Sequence, residues 1–134
     1  MVYAVSDVDA LTAFIRARLA DEQRDAQAAT PGPWRHDPAK HWRKPGTSWF
    51  EEAVFSGPAD KDATCVAGTG ESDDAQSMAD ARHIARQDPA ATLARVAALR
   101  ALVDDLAGTQ DSGDVRTLAI VARAWRDHPD YPTS

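Results

Sequence analysis

Two groups of residues in this chain carry side chains that can do chemistry. The first is Trp34, Arg35, His36, Lys40, His41, Trp42, Arg43 and Lys44, which follow the turn Ala29-Thr30-Pro31-Gly32-Pro33. Within residues 35–44, Arg35, Lys40, Arg43 and Lys44 face only Asp37, a net of +3 on a chain whose formal net charge is −6. Indoles stack on planar groups and guanidinium forks pair with phosphates. A cationic, Trp-bearing segment on an acidic body therefore suits a small anionic, nucleotide-like ligand. Trp34 and Trp42 are the stacking candidates, and Arg35, Lys40 and Arg43 supply charge. The second group is Asp80 and His83, three apart on one face of a predicted helix. There a carboxylate can hold an imidazole in one tautomer, and the pair is assigned to orienting the polar edges of the same ligand.

Each feature has a plainer alternative. Trp34 can plug the first helix onto a sheet, with the prolines fixing its entry angle. The loop cations can simply be solvated opposite Glu51 and Glu52. Asp80 and His83 can be a helix-surface pair, or Asp80 can bond the Trp34 turn. No nucleophile stands at a fixed offset from that pair, so a binding protein is favoured over an enzyme, and hydrolase-type chemistry at His83 ranks last.

No metal and no cofactor is expected. His36, His41, His83 and His128 match no zinc spacing, and no HExxH is present. Cys65 is the single cysteine, which excludes an intramolecular disulfide and a cysteine-based zinc cluster. Gly68-Thr69-Gly70 reads as a turn rather than a phosphate loop, because Glu71, Asp73 and Asp74 follow it and no P-loop lysine does.

The elements that must position these residues are legible from period and punctuation. A helix is expected over 6–28, capped by Ser6, with Val8, Leu11, Ile15 and Leu19 at helical spacing. Pro31-Gly32 suits the centre of a type II turn. From 33 to 70 the helical period disappears, and extended segments are expected at 34–37, 48–56 and 63–67, separated by turns that include Gly57-Pro58. A helical region over 73–127 follows: one helix from a Ser72 or Asp73 cap to about Gln87, one from Pro89 to Ala107 capped by Asp88 and stopped by Gly108, and one over 113–127. Residues 128–134 form a polar tail. The expected fold is α+β in a single domain over 1–134: an N-terminal helix, a small three-stranded antiparallel sheet, then three helices.

Composition bounds the partners. At 43% hydrophobic and 27% charged the chain reads as a soluble globular protein. A pI near 5.0 argues against duplex DNA, which needs several cations on one face. No apolar run approaches the roughly 20 residues that span a bilayer, and no signal peptide is evident, so the expected location is cytoplasmic. Large apolar side chains are scarce beside alanine. The alternative function is therefore a protein-interaction or self-assembly module, a homo-oligomer paired through the faces of Leu93–Leu106 and Val115–Trp125.

The turn ATPGPWR (29–35), the stretch DARHIARQDPAATL (80–93) and the terminal DHPDY (127–131) resemble a family of uncharacterised small proteins of actinobacteria and their phages. The turn, with an alanine-rich helix after an Asp-Pro step, is also similar to accessory proteins of the early region of lambdoid phages. The resemblance implies a phage or prophage setting, in which sequestration of a host signalling nucleotide is the corresponding expectation. It points to Pro31, Gly32, Pro33, Trp34, Asp80, His83, Asp88 and Pro89 as shared positions, and it does not cover residues 37–73.

Overall fold

The computed structural model describes residues 7–57 and 63–133. Ser6, Pro58 and Ser134 lie outside the described residues. The element order is α1 (Val8–Ala28), β1 (Trp34–His36), β2 (Trp42–Arg43), β3 (Phe50–Ser56), β4 (Thr64–Glu71), α2 (Ala75–Ala85), α3 (Pro89–Leu106) and α4 (Ser112–Ala122), then a 3-10 turn over Arg123–Trp125. This is the expected α+β class. The chain divides into two compact units, one built from residues up to Arg24 with those from Ala94 onward, the other from Asp25–Leu93.

The first unit is helical. Val8, Leu11, Phe14, Ile15 and Leu19 line one stripe of α1. They are buried in one cluster with Val96 and Val103 of α3 and Val115, Leu118, Ala119 and Ala122 of α4. Leu99, Leu106, Val121 and Trp125 pack against that cluster, whereas Ile120 is exposed. The terminal DHPDY motif is part of this packing. Phe14 meets His128 and Tyr131 edge-on at 5.9 and 5.6 Å between ring centroids, and the Arg18 guanidinium lies 5.4 Å from the Phe14 centroid and bonds the His128 ring.

The second unit holds the sheet. β3 is its centre, pairing antiparallel with β4 on one side and with both β1 and β2 on the other. Register runs from Trp34↔Ser56 to His36↔Val54, then resumes at Trp42↔Glu51 and Arg43↔Phe50. β1 and β2 are thus one lane interrupted by residues 37–41. The excursion closes on itself through Asp37, whose carboxylate accepts from the Ala39 amide at 2.9 Å and whose carbonyl accepts from the Lys40 amide at 3.0 Å.

Three expectations are corrected. Gly68-Thr69-Gly70 is not a turn but the far half of β4. The reason is close approach: a Cβ on Gly68 would fall 2.5 Å from Glu51 Oε2 and 2.9 Å from the Trp42 ring, and one on Gly70, whose φ is +133°, would collide with Ser77. Register shifts on either side of Ala53 and Val54 carry β4 past these contacts as bulges. Pro31-Gly32 is not a type II turn, since Gly32 is not at positive φ and its peptide to Pro33 is cis. Finally, α2 is capped by Asp74, which accepts from the Ser77 amide at 3.0 Å, and not by Ser72 or Asp73.

Asp88 starts α3 as expected, accepting from the Ala91 amide at 2.8 Å. Its other oxygen accepts from the Trp34 amide at 3.3 Å and stands 3.0 Å from where a Gly32 Cβ would sit. The PGPW and DP motifs therefore meet at one carboxylate. Asp88→Ala should cost about 1–2 kcal/mol in urea unfolding, a cap plus an orphaned amide.

Candidate functional site

The interrupted lane leaves Glu52 and Ala53 without a partner on that side, and the excursion 37–41 begins after one histidine and ends on another. His36 and His41 thereby converge on Glu52, whose side chain is fully buried. His36 Nε2 lies 2.8 Å from Glu52 Oε1, and the His36 side chain is itself only 3% exposed. The second carboxylate oxygen accepts from the Asp73 amide at 2.8 Å and lies 3.2 Å from His41 Nε2. Asp73 comes from the turn between β4 and α2 and holds a φ of 63°, the one positive value at a non-glycine among the described residues. That turn aims its carboxylate at the same point, with Oδ1 3.4 Å from His41 Nε2.

Burial pushes the Glu52 carboxyl up, but the His36 bond, the Asp73 amide and the charges of His41 and His36 outweigh it and hold the group below its ordinary value of 4.5. Glu52 is thus an anion sealed from water. His41 Nε2 is the unusual member. It is shielded from solvent and flanked by two carboxylate oxygens, yet makes a hydrogen bond to neither.

His41, Glu52 and Asp73 each offer one donor atom, all within 4.8 Å of one another. A tetrahedral ion with bonds of about 2.0–2.2 Å sets its ligands about 3.3–3.6 Å apart, close to the two separations at His41. One imidazole and two carboxylates, with a second imidazole bonded behind the buried carboxylate, form a donor set suited to zinc or manganese. Histidine spacing in the sequence carries no sign of this convergence, because the three side chains come from an excursion, a central strand and a turn.

The residues chosen from sequence for an anionic ligand are spread over several environments. Trp34 is half-buried and donates from Nε1 to the Thr30 carbonyl at 2.7 Å, bracing its own turn. Register puts Arg35, Trp42 and Glu51 with Phe55 on one face of the sheet, and Trp34, His36 and Glu52 on the other. Arg35 donates to the Gly57 carbonyl, Lys40 Nζ sits 4.8 Å from the Phe55 ring centroid, and exposed Arg43 donates to the Thr47 carbonyl at 3.1 Å. Asp80 accepts from Gln76 at 2.9 Å and, with His83, Gly68, Thr69 and Ile84, lines an open depression of ≈ 340 Å³. Asp80 and His83 are therefore together, and Trp42 is on the sheet face opposite Trp34 and His36.

The sequence model of a family described as "Family of unknown function (DUF6221)" matches residues 8–134. No curated protein and no solved structure matches the chain. Among the described residues, no helix is long and apolar enough to cross a membrane.

Proposed function

Because the chain belongs to this family of unknown function, its role has to be read from the site, and we propose that it is a metal-dependent binding protein for a small anionic ligand. His41, Glu52 and Asp73 hold one divalent cation, and His36 orients the buried carboxylate. Three protein donors leave a coordination position open, and an anion is its natural occupant. Lys40, Arg43 and Lys44 come from the same stretch of chain and, although Lys40 lies over Phe55 and Lys44 beside Glu51, add long-range positive potential to a region otherwise rich in carboxylates. The observation that carries the reading is His41 Nε2, buried between two carboxylate oxygens at 3.2 and 3.4 Å without a hydrogen bond. The phage resemblance of the sequence makes a nucleotide the first anion to try.

Zinc titration of chelator-stripped protein by calorimetry tests this. One ion per chain is expected, with cobalt giving a visible ligand-field spectrum on the same ligands. His41→Ala removes one donor, and Asp73→Gly removes another at a φ that glycine tolerates. Each should weaken zinc by more than about 100-fold, and His36→Ala by about 10–100-fold through loss of the supporting bond. Phosphate and nucleoside monophosphates should bind the zinc-loaded protein and not the stripped one. Equal zinc affinity in the wild type and both ligand variants overturns the proposal.

A further inference from the structure

We infer that a second site, independent of the metal centre, takes a small organic cation with a quaternary ammonium head. It is the cleft of ≈ 340 Å³ lined by Trp49, Phe50, Glu51 and Glu71. Two features there cost the apo protein stability and are both relieved by a cation. Trp49 is 60% exposed and, two positions from Glu51, falls on the Glu51 side by strand alternation, so it is the aromatic face beside the carboxylates. Phe50, 48% exposed, borders the cleft from the neighbouring position. Beside them Glu51 and Glu71 are cross-strand partners in register, so like charges stand directly opposite one another on neighbouring strands. Aromatic faces attract a cation through their quadrupole, and a tetraalkylammonium group, weakly hydrated and apolar at its rim, gains most from indole beside carboxylate. The volume lies in the range of small-ligand pockets.

The chain supplies a cation of its own at the edge of this cleft. Lys44 Nζ is 3.8 Å from Glu51 Oε1, a loose pair whose lysine side chain is half exposed. Lys44 is a built-in competitor, and its removal should strengthen binding. This sets the site apart from a merely greasy patch, for which Lys44 is irrelevant.

The test uses choline and its neutral isostere 3,3-dimethyl-1-butanol, followed by the Trp49 indole N–H resonance in the chelator-stripped full chain, so that the metal proposal plays no part in the outcome. Choline should shift that resonance saturably and bind at least tenfold more tightly than the isostere. Glu51→Gln and Glu71→Gln should each weaken choline severalfold, and Lys44→Ala should tighten it severalfold. Trp49→Phe keeps an aromatic face and should weaken it less than Trp49→Ala. Equal affinity for choline and the isostere, or Lys44→Ala binding no tighter than wild type, overturns the inference.

Discussion

Glu52→Ala should destabilise the metal-free protein by about 3–5 kcal/mol in denaturant unfolding, the largest effect of any single substitution in the sheet. The carboxylate is fully buried and serves three groups at once: the His36 imidazole, the Asp73 amide and His41. Deleting it leaves a buried imidazole and a part-buried amide without their acceptor and opens a cavity in the central strand. Glu52→Gln keeps the volume and one acceptor oxygen, so about 1–2 kcal/mol is expected, with zinc binding still impaired because the charge is gone. The pH dependence has a definite sign. The folded carboxyl lies below its ordinary value of 4.5, so the unfolded chain binds the proton more readily. The stabilisation is complete above that value and is lost as pH falls through the lowered one. Wild-type stability should therefore decline below about pH 4.5 more steeply than that of Glu52→Gln, whose residue 52 cannot titrate. An alanine variant within 1 kcal/mol of wild type would mean that the three contacts are not mutually supporting.

The helices were legible because their signals are local. Asp88-Pro89 and Gly108 bracket α3 in the sequence and in the structure, with Gly108 at φ +75°. Leu11, Ile15 and Leu19 announce the buried stripe of α1. β1 and β3 were legible for the same reason, from aromatic and branched residues between turn formers. β2 was not, because two residues carry no period and are extended only where they face Glu51 and Phe50. The far half of β4 was misread since glycine signals a turn, whereas here Gly68 and Gly70 make room for Trp42, Glu51 and Ser77.

The convergence of His36, His41, Glu52 and Asp73 was hidden for a related reason. Zinc spacings describe ligands on one turn or helix, while His36 and His41 are brought together by an excursion whose register depends on a third element. One signal was available. Glu52 stands directly before the apolar run Ala53-Val54-Phe55, where a carboxylate is buried only if something partners it. The cationic stretch was plain in the sequence, but strand alternation, which sends neighbouring residues to opposite faces, decides which of its side chains can share a ligand.

Leu118→Ala should cost about 3–5 kcal/mol, the second large effect, and it falls in the helical unit. Leu118 is fully buried among Leu11, Ile15, Leu19, Val103 and Val115. The transfer term for the lost methyl and methylene groups is one part of the cost, and the cavity they leave is the other. Collapse around the site is limited because its neighbours on α4, Ala119 and Ala122, are already too small to lean into the space. Phe14 is held by His128, Tyr131 and Arg18 and is not free to swing inward. Ile120→Ala, two positions along the same helix, supplies the contrast. Ile120 is 48% exposed, so its truncation should stay within about 0.5 kcal/mol of wild type in the same urea series. Comparable losses at 118 and 120 would show that Ile120 is covered in solution, as it would be in the self-assembled form suggested by the C-terminal helices, and a dependence of the Ile120→Ala loss on protein concentration would identify that cover as a second copy of the chain.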